Sequence, residues 1–400
     1  MVFENDRKRQ VIFNSIFYLA EIIYLFSIYF LRDSNIEKFI INKDTFVLYV
    51  SYITIALLLL KICLSKFYIS DFLRMVAILL LSVVSYYLSN SAILFISIMF
   101  ILASQGVDYR KVLRIALISC FVWTILIIAL FAMGFIPEIS AYSVYIKNLN
   151  HTFRLRRSLG FSHVNLLGTH IGVIVLIYYY LRFERIRPIH YIILGVLTFI
   201  IFITSFSRTS IYVFVILAIV HIIYLILRKL NKENTVQGLA IVCCWFFPIF
   251  SLLAGTVFYN YTFFNTTLNN ILAGRISDIN IFFTEYGFSI LGQDIELRGT
   301  GQVTASDHTR LILDNVYAHL GIHFGIIMLI LFLAAATALL VKYGRREEYN
   351  TVIVILVMIL WGTSELTAIR FEYNDFMILS GELIYRRFYN EYYYSALYYT

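Results

Sequence analysis

A chain of 400 residues that is 60% hydrophobic and 14% charged, with only three prolines, is not an ordinary water-soluble protein, whose charged fraction is about 25%. Its net charge of +8 comes from basic residues that flank apolar runs, the pattern of membrane anchoring rather than a nucleic-acid signal. The composition predicts an all-α, polytopic integral membrane protein.

Apolar runs able to cross about 30 Å of hydrocarbon as helices fall near 11–30, 44–62, 72–89, 91–105, 112–133, 161–181, 189–206, 209–227, 237–258, 313–341, 350–368 and 374–388, which predicts about 12 transmembrane helices in one membrane domain over 1–400. The weakest are 91–105, which is short, and 374–388, which contains Asp375 and Glu382. The first run is too long for the apolar region of a cleaved signal and is followed by Arg32-Asp33, so it is expected to remain as a helix. With the N-terminus inside, the inner segments hold 20 of the 32 Lys and Arg residues. This predicts a multi-pass protein of the cytoplasmic membrane with both termini cytoplasmic. The four cysteines, Cys63, Cys120, Cys243 and Cys244, sit in or at the ends of apolar runs without metal spacing and read as small buried hydrophobes.

Two outer loops are long: 134–160, and 259–312 between helices 9 and 10. Function concentrates in such loops. The larger has a helix-like stretch, Ile276 to Tyr286, together with Gly292, Gly299 and Gly301, and is expected to be a partly ordered cap over an active site on the extracytoplasmic side. The Tyr-rich end, Tyr385 to Tyr399, reads as an interfacial aromatic belt.

From Arg154 onward the outer positive charges are all arginine: Arg154, Arg156, Arg157, Arg208, Arg275, Arg298, Arg310 and Arg370. A guanidinium holds two oxygens in a planar fork and keeps its proton, which suits partly desolvated phosphate. The competing account is that Arg154, Arg156 and Arg157 reach to lipid headgroups at the start of a helix. Arg208 lies in Thr204-Ser-Phe-Ser-Arg-Thr-Ser210, a tight turn between two spans.

The stretch Arg157-Ser-Leu-Gly160-Phe-Ser-His163-Val-Asn165-Leu-Leu-Gly168 resembles the segment entering a middle helix in bacterial O-antigen and capsular polysaccharide repeat-unit polymerases of the Wzy type. Its spacing of arginine, ten residues, glycine recurs from Arg310 to Gly321, at the end of the large loop. Asp314-Asn315, nine residues, then Gly325 is similar to the motif of the related O-antigen ligases, with Asp314 in place of their histidine. Gly362-Thr-Ser-Glu365 with Asn374 looks like the penultimate helix end of these polymerases.

The resemblance implies a membrane glycosyltransferase; Asp294-Ile-Glu296 has the form of a divalent-metal pair but is a lone acidic pair in a polar loop, so no metal or cofactor is expected. Such an enzyme transfers an undecaprenyl-pyrophosphate-linked glycan onto the non-reducing end of another lipid-linked repeat unit, in capsule, exopolysaccharide or O-antigen synthesis. A chain-length regulator and a flippase are the implied partners. Arg157, Arg208 and Arg310 are the first candidates to stabilise the departing diphosphate, followed by Arg154, Arg156 and Arg275. Asp314 is the favoured base for the acceptor hydroxyl, with an N-cap role as its alternative. His308, His163, Asn165 and Asn315 are candidates to touch sugar or phosphate, as is Glu365, which an ion pair would equally explain. Gly168, Gly321 and Gly325 belong to the structural motif. His319 and His323 read as part of close helix packing. A ligase that moves the glycan to another acceptor is the nearest rival, and a non-enzymatic lipid-linked-sugar flippase is the next.

Overall fold

The computed structural model describes residues 2–36, 42–138, 140–147, 150–297 and 312–385. Among them, nine helices are long and apolar enough to cross a membrane, and two apolar helices, Ala92–Ala103 and Tyr349–Trp361, are shorter. The chain divides into two compact units.

The first unit comprises residues 1–66, 102–220 and the C-terminal segment from Tyr385. It is built from α1 (Val2–Phe26, continued as a π-helix over Ser27–Arg32), α2 (Lys43–Leu64), α5 (Tyr109–Ala132), α6 (Leu166–Arg182), α7 (Pro188–Ser205) and the start of α8 (Arg208–Lys229). The loop expected over 134–160 forms an antiparallel hairpin of β1 (Ser140–Lys147) and β2 (Asn150–Arg157), with Ser140 opposite Arg157 and Lys147 opposite Asn150. Helix α6 is buried around most of its circumference, with an unbroken run from Leu167 to Ile177. A helix apolar on all sides belongs in the centre of a bundle. By contrast, α7 leaves Ile192, Val196, Phe199, Ile200 and Ile203 more than half exposed. That stripe repeats at helical spacing and would be intolerable in water, so it faces lipid. The predicted start of a helix at 161 is corrected: Leu159 and Gly160 turn with positive φ, of 51° and 89°, and α6 begins at Leu166.

The second unit comprises residues 67–101 and 221–384. Its elements are α3 (Ile69–Ser89), α4 (Ala92–Ala103), the remainder of α8, α9 (Asn234–Gly255), α10 (Arg275–Tyr286), α11 (Ile326–Arg345) and α12 (Tyr349–Trp361). Helix α10 coincides with the helix-like stretch expected inside the large loop. It buries Ile276, Ile279 and Phe282, and Ile279 sits where a side chain on Gly255, the last residue of α9, would otherwise be.

The continuous spans expected over 313–341, 350–368 and 374–388 are corrected. The first is broken: Val316–Ala318 is a single turn, His319–Phe324 is π-helical, and Gly325, with φ 100° and ψ 147°, stops it before α11. The second ends at Trp361, after which Leu366–Ile369 is a 3-10 helix. The third is a chain of 3-10 turns through Ser380 followed by one helical turn, Gly381–Ile384. Glu382, with a side chain only 5% exposed, meets Lys342 Nζ at 2.8 Å and Arg346 Nη1 at 3.0 Å, and accepts from Tyr343 Oη at 2.9 Å. The segment is thereby clasped to the basic end of α11. Glu382→Ala is expected to lower stability by about 2 kcal/mol, the scale for hydrogen bonds to a charged group. A lower thermal midpoint in detergent would register it, and an unchanged midpoint would contradict this role. Cys63, expected to be buried, is exposed on α2.

Candidate functional site

In the first unit, Arg156 and Arg208 lie at the α7–α8 turn. Ser205 ends α7, Phe206 turns the chain with φ 49°, and α8 begins at Arg208. The first turn of α6 lies directly against it, because a Cβ on Gly168 would stand 2.1 Å from Ser207 Oγ. Two helix N-termini are thus adjacent, and each carries partial positive charge from its unpaired N–H groups. Arg156 links the N-cap position of α6 to the end of α7: its Nη2 donates to Asn165 Oδ1, and its Nε donates to the Ser205 carbonyl at 3.4 Å. Asn165 stands at the N-cap position of α6 but makes no side-chain cap, since its amide oxygen serves Arg156. His163 Nδ1 accepts from the Asn165 backbone N–H at 3.2 Å. Arg208 is partly exposed and has no hydrogen-bond or ion-pair partner among the described residues. The hydroxyls of Ser207 and Ser210 are buried without a partner among the described residues. Arg157, 56% exposed, stands 3.7 Å from Glu138. Arg154 lies in β2 opposite Ser143. The arginines precede α6 on a strand, not on its first turn.

In the second unit, several motifs separated in sequence converge on Arg275, the first residue of α10. Its guanidinium is almost fully buried; Nη2 is 2.6 Å from Asp314 and 3.7 Å from Glu365, and Nη1 is 3.7 Å from Asp278. Nε donates to the Ser364 carbonyl at 3.0 Å. Burial works against the charge, and the carboxylates of Asp314, Glu365 and Asp278, in that order, outweigh it and hold the group above its ordinary value. One cation against three carboxylates leaves this group of four with a negative balance. Arg275 is therefore committed to carboxylates and would have to leave one to receive a phosphate.

Asn315 supplies the N-cap that Asp314 was considered for: its Oδ1 accepts from the N–H groups of Tyr317 and Ala318, both at 3.0 Å. Its Nδ2 donates to the Thr363 carbonyl at 2.9 Å, and Val316 N–H donates to the Gly362 carbonyl at 2.9 Å. The Asp314-Asn315 and Gly362–Glu365 motifs are thus stitched together, and Asp314 is left free of the capping role with its carboxylate against Arg275. Arg370 pairs with Glu372 at 2.7 Å, and Glu365 approaches Arg275. Gly321 lies against the Phe288 ring, 3.1 Å from where its Cβ would be, and Gly325 against the backbone of Ile290 and Leu291, 2.6 Å in each case. Arg310, His308 and Arg298 lie outside the described residues.

One buried constellation had no signal in the sequence. His170, in the middle of α6, holds Asp33 Oδ2 at 3.0 Å through Nε2 and meets Thr124 Oγ1 at 2.9 Å through Nδ1, with the Tyr29 and Phe161 rings packed against it. The partners are 137 and 46 residues away in sequence, so spacing does not reveal them. It ties the end of α1 to α6, and the pairing offsets the cost of ionisable groups among apolar spans.

No known protein family, curated protein or solved structure matches this chain.

Proposed function

We propose that this protein polymerises lipid-linked oligosaccharides, transferring an undecaprenyl-pyrophosphate-linked glycan onto the non-reducing end of a second lipid-linked repeat unit at the outer face of the cytoplasmic membrane. The observation that carries the reading is the approach of the first turn of α6 to the start of α8, with Arg156 and Arg208 beside them. Helix N-termini and guanidinium groups are the two protein devices best suited to phosphate oxygens. As the glycosidic bond to the diphosphate breaks, negative charge develops on the leaving oxygens, and fixed positive charge there lowers the barrier. Arg208, which has no partner among the described residues, is available for this without breaking an existing bond.

Within the second unit, Arg275 holds the Asp314 carboxylate by the 2.6 Å contact, as a positioning residue would hold a base for the acceptor hydroxyl. In this reading both termini are cytoplasmic, and the clasped 3-10 segment from Leu366 to Ile384 makes the last of twelve passages.

The test uses purified protein in lipid vesicles with a single lipid-linked repeat unit as both donor and acceptor. Long polymer from that substrate alone distinguishes a polymerase from a ligase and from a flippase. Arg208→Ala is expected to lower polymer formation by about 100-fold or more, the scale for removing one transition-state donor, with unchanged expression and thermal stability. A normal chain-length ladder from Arg208→Ala and from Arg156→Ala would sink the proposal.

A further inference from the structure

His319 and His323 lie four residues apart in the π-helical segment before Gly325, and both are buried. Their four ring nitrogens make three contacts. His319 Nδ1 is 3.0 Å from the Leu313 carbonyl, His319 Nε2 is 2.9 Å from His323 Nδ1, and His323 Nε2 is 2.8 Å from the Ser89 carbonyl. A carbonyl oxygen only accepts, so each outer nitrogen must bear a hydrogen, and the inner pair needs one between them. The contacts therefore require three hydrogens, whereas two neutral imidazoles carry two. We infer that His319 and His323 form a proton-binding site whose fully bonded state holds one proton beyond the two neutral rings.

The surroundings place that charge. Ser89 is the last residue of α3, where carbonyls lack helical partners and a cation is favoured by the helix dipole. The Asp294 carboxylate favours the charge on His323. Arg370 opposes it at His319, but that guanidinium is already paired with Glu372 at 2.7 Å. The Phe324 ring lies over His323, with centroids 4.7 Å apart and planes 23° apart, and offers a π face to a cation. Burial, the largest influence on both rings, works against the charge and holds them below the ordinary histidine value.

When the proton leaves, one of the three contacts must set two lone pairs against each other. The segment then loses its hold either on Leu313 or on the end of α3, or the rings part. Leu313 precedes Asp314, so, on the function proposed above, proton occupancy governs how firmly the base is positioned.

The experiment is 15N NMR of the full chain, labelled at histidine and held in lipid nanodiscs, across pH 5 to 8, the range in which histidine charge ordinarily changes. At the acidic end, three protonated nitrogens and one bare nitrogen are expected for the pair, with a coupling between His319 Nε2 and His323 Nδ1 that only a shared hydrogen transmits. In His323→Gln the coupling should vanish and His319 should hold a single hydrogen, on Nδ1, throughout. Should that variant not fold, the wild-type coupling still identifies the pair. Two bare nitrogens at every pH, or no coupling, would overturn the inference. No substrate is involved, so this result is independent of the polymerisation assay.

Discussion

Arg275→Met is expected to lower the unfolding free energy by about 3 kcal/mol and to abolish polymer formation. The magnitude follows from removing one partner of a buried ion pair, which takes the 2.6 Å counter-charge from Asp314. Asp314, Glu365 and Asp278 keep side-chain exposures of only 18, 17 and 23%, so water relieves their mutual repulsion only in part, and the Ser364 carbonyl loses its donor. Methionine fills the volume, which isolates the charge from the packing. Adding Asp314→Asn and Glu365→Gln to Arg275→Met should return much of the thermal stability, because the repulsion is gone, yet restore no polymer, because the proposed base is gone too. Recovery of activity in that triple variant would contradict the role given to Asp314. An undiminished thermal midpoint in Arg275→Met would show that the cluster is not energetically coupled.

Gly325→Ala is expected to cost on the order of 3 kcal/mol, read as a lowered unfolding midpoint and poor yield. At φ 100° and ψ 147° the backbone is in a region that only glycine occupies without strain, costing about 1–3 kcal/mol for other residues. A Cβ would also lie 2.6 Å from the Ile290 oxygen and 2.8 Å from the Gly292 nitrogen. Neither atom can withdraw cheaply. The 289–293 strip is pinned by Ser289 N–H to the Gly321 carbonyl at 3.2 Å, by Gln293 N–H to the His323 carbonyl at 2.9 Å, and by Ile326 N–H to the Ser289 carbonyl at 2.8 Å. Gly168→Ala adds no positive-φ strain, but its Cβ would meet Ser207 Cβ at 2.8 Å, so it too should lower the midpoint, by the steric clash alone. Equal stabilities for Gly325→Ala and wild type would refute this account.

Most of the helical architecture is legible because hydropathy acts over twenty residues at a time, and nine of the apolar runs do form long helices among the described residues. What hydropathy does not carry is where a run breaks. The stretch 313–341 is apolar nearly throughout, yet the 288–293 strip takes its place beside Gly321 and Gly325 and ends the helix, which is a tertiary effect. The β1–β2 hairpin did leave a signal. Tyr142 and Val144 alternate with Ala141 and Ser143 before Tyr145 interrupts the pattern, and Lys147-Asn148-Leu149-Asn150 suits a turn, but a period of two over so few residues is weak beside the long apolar runs around it. Asp314, Asn315 and Glu365 were singled out one by one from motif spacing. Their union with Arg275 was not legible, because 39 residues separate Arg275 from Asp314 and 90 separate it from Glu365. The paired Arg157–Gly168 and Arg310–Gly321 spacing leads to Gly168 and Gly321, each at a close approach, while Arg310 lies outside the described residues.

The return from Leu366 to Ile384 has a bearing on how the protein is assembled. Its 3-10 turns are nearly all buried, from Thr367 through Leu379, and they lead from the Gly362 end of α12 to the Arg346 end of α11. A backbone of this kind cannot be offered to lipid, because its polar groups find fewer partners within the segment than those of an α-helix. It can enter the bilayer only into a groove that α11, α12 and α4 have already lined, as Ser97 does by receiving the Phe371 N–H at 2.9 Å. On the twelve-passage reading proposed above, insertion of this stretch is thus a folding step and not a partitioning step.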